Sequence, residues 1–279
     1  MSGNIKKHLP GSKWEGMLQR SVTGAVLVAA SIGVVLGSPY PMVLETVTTV
    51  ISVIGVYELI RAAHLDQERG FLIGSMAAAA LISLIPIPRY GDILPWIMLL
   101  GVLVFGHIMR RNARIILDTK PRTGGLCLLT VLLLRAIPEF ASLEHGDLYL
   151  GASLMVCYAT DAFAYLGGKA FGKHKLCPKI SPNKTVEGSI CGILGAVILA
   201  LAAGLLMDAN IPLVIAYAVF GSVVGQFGDL AISGIKRSFA VKDLGSILPG
   251  HGGILDRFDS HMFTLPFTLL FCRLTGGYF

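Results

Sequence analysis

The chain has 279 residues, of which 54% are hydrophobic and only 14% charged, against about 25% charged in an average soluble domain. That composition excludes a soluble enzyme and a disordered tail, and it predicts an integral membrane protein. The formal net charge of +6 is explained by basic loops meeting anionic lipid headgroups, with no nucleic acid required.

Apolar runs of roughly spanning length, about 17 to 25 residues, fall at 21–37, 41–60, 70–88, 92–109, 123–138, 148–167, 189–207, 211–230 and 260–275. They predict an all-α fold, a polytopic integral membrane helical bundle of about nine transmembrane helices. The runs at 123–138 and 260–275 are the shortest. The expected organisation is a cytoplasmic tail over 1–20 with Trp14 at the interface, an N-terminal transmembrane region over 21–120, and a C-terminal transmembrane catalytic region over 121–279. The basic lead has no small-residue cleavage site, which argues against a removed signal peptide.

Nine spans put the two termini on opposite faces, and Lys and Arg choose the orientation. With the N-terminus inside, the inner set holds Lys6, Lys7, Lys13 and Arg20, Arg61 and Arg69, the run from Arg110 to Arg122, five lysines between Lys169 and Lys184, and Lys236, Arg237, Lys242 and Arg257. Only Arg89, Arg135 and Arg273 are left for the other side. The loop at 139–147, with Glu139, Glu144 and Asp147 and no base, falls outside. The expected location is therefore a cell membrane, the bacterial inner membrane, with the N-terminus and the polar loops facing the cytoplasm.

Residues 1–120 carry no chemical constellation. Glu45, Glu58 and His107 are isolated and read as satisfied polar groups in the bundle, and Arg110, Arg111 and Arg114 read as topology signals. The cysteines Cys127, Cys157, Cys177, Cys191 and Cys272 are scattered singly, so neither zinc nor a disulfide framework is indicated.

Residues 161–188 are richer. Asp161 and Tyr165 lie inside an apolar span, four residues apart on one helix face. An intramembrane Asp suggests a site by default, and contact with metal, contact with nucleotide, and pairing with a lysine all remain open. Beyond Asp161, Lys169, Lys173, Lys175, Lys179 and Lys184 form an electropositive surface suited to a polyphosphate. Gly167-x4-Gly172-Lys173 imitates a P-loop but is followed by His174 and preceded by a membrane helix, so that reading fails. Ser181-Pro-Asn-Lys184-Thr185-Val-Glu187-Gly188 predicts a turn into the next helix, with Glu187 favouring its start. Ordinary positive-inside topology is the competing explanation for these lysines.

The densest polar segment runs from 233 to 259, between two apolar spans where idle charge is expensive. Asp256 and Asp259 lie three residues apart, a spacing that puts two carboxylates on one face if the segment is helical. Asp229, in Gly228-Asp229-Leu230, could join them. Carboxylate oxygens suit Mg²⁺, which typically binds through one or two carboxylates plus substrate phosphates. Lys236, Arg237 and Lys242 supply charge for phosphate oxygens, and Gly250, Gly252 and Gly253 let backbone approach a phosphate. A solvated loop of self-pairing charges is the competing reading.

This segment resembles the signature of the phosphatidate cytidylyltransferase, or CDP-diacylglycerol synthase, family. The pattern S-x-x-K-R-x4-K-D, a spacer, then H-G-G-x-x-D-R-x-D is met by Ser233, Lys236, Arg237, Lys242, Asp243, His251, Gly252, Gly253, Asp256, Arg257 and Asp259. The family's S-P-x-K-T-x-E-G run is met by Ser181, Pro182, Lys184, Thr185, Glu187 and Gly188. One departure lies just upstream of Ser233, where the family commonly has an acidic residue between G-D-L and the signature Ser and this chain has Ile232. The resemblance implies cytidylyl transfer from CTP to phosphatidate, with the lipid phosphate as nucleophile. In that scheme Asp229, Asp256 and Asp259 hold Mg²⁺, with room for a second cation. Lys236, Arg237, Lys242, Asp243 and His251 join them in the catalytic set. Ser181, Lys184, Thr185, Glu187, Ser233, Gly252, Gly253, Arg257 and Asp161 form the substrate-binding set. Implied partners are CTP, phosphatidate and membrane lipids, and homodimerisation is left open. A CTP-dependent lipid kinase of related architecture is the alternative. A transporter would show inverted repeats and broken helices, and neither is evident.

Overall fold

The structure is a computed structural model that describes residues 13–87, 89–110, 119–248, 250 and 252–277. Ten helices follow in order: α1 (Lys13–Gly37), α2 (Pro41–Ala62), α3 (Arg69–Leu84), α4 (Tyr90–Arg110), α5 (Lys120–Leu134), the single turn α6 (Ala136–Glu139), α7 (Gly146–Phe171), α8 (Val186–Leu206), α9 (Ile211–Ser238) and α10 (His261–Thr275). Setting α6 aside, each of the nine apolar runs of the sequence is one helix, so the protein is an all-α polytopic membrane bundle. Among the described residues, six segments are long and apolar enough to cross a bilayer: α2, α4, α5 continued through α6 to Ser142, α7, α8 and α9. Helix α10 has 15 residues, about 22 Å at 1.5 Å per residue, and so falls short of a 30 Å hydrocarbon core. Its environment is protein rather than lipid, since Met262, Phe263, Leu265, Leu269 and Cys272 are all buried.

Two details go beyond the sequence reading. Helix α1 begins at Lys13, ahead of its apolar stretch at Ser21–Gly37; residues 1–12 lie outside the described residues. The expected turn before α8 contains a small antiparallel sheet, β1 (Lys175–Cys177) paired with β2 (Ser181–Thr185). Backbone polar groups there need partners, and a hairpin at the end of two membrane helices supplies them locally.

The main core gathers Leu59, Phe105, Leu133, Ile232 and Phe263 from α2, α4, α5, α9 and α10. Helices α7 and α8 approach closely because the contact is made of small residues: a Cβ at Gly188 would sit 2.7 Å from the Ala164 carbonyl oxygen, and one at Gly192 2.8 Å from that of Thr160. In lipid, where burial of apolar surface drives no association, such close packing and interhelical hydrogen bonds hold helices together. Thr160 Oγ1 accordingly donates to Ser222 Oγ at 2.8 Å, and Ser189 Oγ to Gln226 Oε1 at 2.5 Å. Along the chain, the C-terminal ends of α2, α7 and α9 and the N-terminal ends of α8 and α10 come to one end of the bundle. The hairpin and the 239–260 loop lie there.

Candidate active site

Helix α9 carries four candidate site residues, Asp229, Ser233, Lys236 and Arg237, down its last turns. Asp229 and Ser233 are one turn apart, and Ser233 Oγ donates to Asp229 Oδ1 at 3.4 Å. Lys236 follows, buried, with its Nζ donating to Asp256 Oδ1 at 3.1 Å. After the helix ends, the chain turns at Ala240, in a left-handed conformation at φ 57°, and forms a loop closed by an isolated bridge between Leu248 and Gly252. Gly250 and Gly252 have φ of 77° and 82°, where a side chain would be strained. His251, between them, lies outside the described residues.

The expectation that Asp256 and Asp259 share a helix face is corrected. Residues 254–260 form consecutive turns and α10 begins only at His261. The turns point the two carboxylates differently. Asp256, 2% exposed, turns inward, and its Oδ2 accepts the amides of Leu244 and Gly253, both at 2.9 Å. With Lys236 on Oδ1, both of its oxygens are engaged. Asp259 accepts the Ser260 amide at 2.8 Å and lines a cavity together with Asp161 of α7 and Asp229 of α9. Burial first, and the Asp229 carboxylate second, push the Asp259 carboxyl above the usual carboxylate range, against the pull of Lys236. Asp161 has no hydrogen-bond or ion-pair partner among the described residues.

The hairpin reaches this place through one side chain. Lys184 Nζ pairs with Asp229 Oδ2, joining the hairpin to helix α9 across 45 residues of sequence. Lys169, Lys173, Lys175 and Lys179 are exposed and make no ion pair among the described residues. Thr185 caps α8, its Oγ1 accepting the Gly188 amide at 3.1 Å. Glu187 accepts the amides of Lys173 and His174 at 3.0 and 3.2 Å and meets His174 Nδ1 at 2.6 Å, so it fastens the hairpin to α8. Ser181 opens β2, half-buried. Arg237 donates to the carbonyls of Ile180, at 3.2 Å, and Val241, at 3.1 Å, bracing one loop against the other. Lys242 and Asp243 are exposed; Gly252 packs beside Asp243. Arg257 is exposed and lines the cavity.

That cavity has a volume of about 770 Å³. Its polar end carries Asp161, Asp229, Lys236, Asp256, Arg257 and Asp259, and its walls continue into Leu27, Val34, Val47, Ile51 and Leu154 of α1, α2 and α7. Ser31 Oγ and the Tyr158 hydroxyl, 2.7 Å apart, tie α1 to α7 along the wall. The carboxylates of Asp161, Asp229 and Asp259 on one polar wall fit a hard divalent cation by donor chemistry, although among the described residues no group of three or more acidic, His or Cys side chains is gathered closely enough to hold one. One residue with a direct hold on this site escaped the sequence reading of its role. Glu58, near the end of α2, accepts the amides of Ile254 and Leu255, each at 2.9 Å. Its only signal was an acid standing in an apolar span.

The Cytidylyltransferase family model matches residues 18–275. The phosphatidate cytidylyltransferase of Staphylococcus saprophyticus is 50% identical over 125 residues, 44% of this chain and 48% of that protein. That of Staphylococcus haemolyticus is 49% identical over 129 residues, 46% and 50%. That of Bacillus subtilis is 50% identical over 126 residues, 44% and 47%. The chain thus spans about half the length of the curated relatives it matches. With the family model running from α1 to the end of α10, through both polar loops, the chain belongs to the cytidylyltransferase family.

Proposed function

We propose that this protein transfers the cytidylyl group of CTP to phosphatidate, forming CDP-diacylglycerol and pyrophosphate. The observation that carries this reading is the cavity, whose carboxylate- and cation-bearing end continues into apolar walls between α1, α2 and α7. A water-soluble polyphosphate and a two-chain lipid live in different phases, and such a cavity offers a surface to each. A phosphatidate phosphate oxygen attacks the α-phosphorus of CTP, the bond to the bridging oxygen of the β-phosphate breaks, and pyrophosphate leaves. No enzyme nucleophile is needed, so the protein's work is positioning and charge neutralisation.

In this reading Lys184, Lys236 and Arg257 face the phosphates, with Lys242 at the loop surface. Asp229 and Asp259 are the first holders of Mg²⁺, with Asp161 on the same wall, and Asp256 completes the set only by giving up its present bonds. The cation, with room for a second, would supply charge neutralisation on the triphosphate. Arg237, Thr185 and Glu187 act on loop geometry. In this reading the two loops at the site, with Lys169, Lys173, Lys175, Lys179, Lys184, Lys242 and Arg257, face the cytoplasm, where nucleoside triphosphates are. A homodimer is compatible with all of this.

Purified protein given phosphatidate, Mg²⁺ and each nucleoside triphosphate in turn should yield CDP-diacylglycerol, identified by mass, with CTP alone. Lipid carrying the γ-label of CTP would instead mark a kinase and overturn the reading. For orientation, a cysteine at Ser142 in a cysteine-free background should react with an impermeant thiol reagent outside intact cells and one at Ser246 should not. The reverse pattern would put the site on the wrong face.

A further inference from the structure

Glu58 is 1% exposed on the last turns of α2, and among the described residues no Lys, Arg or His lies within ion-pair distance of it. Its charge is met by backbone instead. Oε1 accepts the Ile254 amide and Oε2 the Leu255 amide, each at 2.9 Å, and a carboxylate is the acceptor that gains most from two such donors. The loop is also shaped around it. A Cβ on Gly245 would run into the Glu58 carboxylate, and one on Gly253 would sit 2.5 Å from both of its oxygens. Glycine at these two positions therefore allows close approach rather than a special turn.

Asp256 holds the same loop from the other side, through the amides of Leu244 and Gly253. Four loop amides are thus shared between two carboxylates, one inside the loop and one from a helix almost 200 residues earlier in the chain. Arg257 and Asp259 follow immediately, and any shift of residues 253–255 carries them along. A carboxylate that merely needed satisfying in the bundle would not require the loop to lack side chains where it docks.

We infer that Glu58 is a positioning residue, setting the conformation in which the 244–259 loop presents Arg257 and Asp259 to substrate. It thereby gives the N-terminal half a part in shaping the site, through the loop that it holds. The inference rests on the function proposed above. Misplacing reacting groups by about 1 Å costs on the order of 10²-fold in rate. Glu58→Ala, which removes both acceptors, should therefore lower kcat about 10²-fold, and Glu58→Gln, which keeps one, about tenfold. In each, KM for CTP should change less than kcat.

The experiment uses the full chain in detergent, with CTP, Mg²⁺ and phosphatidate in mixed micelles, and follows kinetics and amide hydrogen exchange together. Exchange should rise in peptides covering 244–258 while those of α2 and α9 keep their protection. Gly245→Ala leaves Glu58 in place but crowds its carboxylate, and should reproduce the kcat loss. Where Glu58→Ala does not fold, Glu58→Gln and Gly245→Ala decide. Wild-type kcat in both of these, or exchange rising equally across all helices, would overturn the inference. If the wild-type protein forms no CDP-diacylglycerol, the functional reading fails by itself, and local against global exchange still decides the role of Glu58.

Discussion

The loop after α9 is anchored from within the protein, by Asp256 on Lys236 and two amides and by Glu58 on two more. The hairpin between α7 and α8 is fastened by Thr185 and Glu187 at the start of α8, by Arg237 on the Ile180 carbonyl, and by Lys184 on Asp229. Both loops are basic, yet they use charge differently. At the first, Lys236 and Asp256 are buried against each other, where an unpaired charge would be costly. In the second, four of five lysines stay in water and only Lys184 crosses to Asp229. The basic residues here are therefore not equivalent: Lys184 and Lys236 have carboxylate partners, and Lys169, Lys173, Lys175 and Lys179 make no ion pair among the described residues.

The strongest way to break this comparison is at the carboxylates facing the cavity. Asp229→Asn and Asp259→Asn keep size and remove charge, and each should cut turnover by about 10²–10³-fold, with the protein still eluting as a folded species in gel filtration. Near-normal Mg²⁺-dependent turnover would remove both from the proposed metal site. Asp256 should behave otherwise. Asp256→Asn leaves Lys236 buried without its counter-charge, and breaking a buried pair typically costs about 3–5 kcal/mol. Its thermal midpoint should fall well below that of Asp259→Asn, and equal midpoints would argue against an anchoring role.

Effects in the hairpin should be smaller and more selective. Lys184→Met should lower kcat/KM about 10²-fold, roughly 2.7 kcal/mol of transition-state stabilisation, while Lys173→Met stays within about twofold of the parent on the view that exposed charges contribute little. Equal, mild losses would make the hairpin a generic basic surface. Glu187→Gln weakens bonds to the Lys173 and His174 amides, each worth about 1 kcal/mol. Its kcat/KM should fall less than tenfold, and a loss as large as that of Lys184→Met would place Glu187 at the substrate.

The helices were legible because lipid forces long apolar runs, and each run became a helix even where α10 proved too short to need lipid. The signature residues were legible as a group, since charge is scarce in this chain and concentrated there. Their division of labour was not. A three-residue spacing places Asp256 and Asp259 together only on a helix, and the glycines that let the loop fold back made turns instead, sending one carboxylate to the backbone and the other to the cavity. The β1–β2 hairpin was hidden because five residues with Pro182 among them carry no alternation to read. Glu58 was hidden because its partners are backbone amides, which leave no mark on the sequence, and because they lie at the far end of the chain.

The central claim is that the hairpin and helix α9, with the loop that follows it, form one site joined through Lys184 and Asp229. A double-mutant cycle of Lys184→Met and Asp229→Asn, read in kcat/KM for phosphatidate and CTP, tests it directly. Residues in contact within one site couple by about 0.5–3 kcal/mol, whereas independent ones add. The double variant should be no worse than about the poorer single variant, a coupling of about 2.7 kcal/mol, the whole of the Lys184→Met loss; losses that simply add would contradict the shared site.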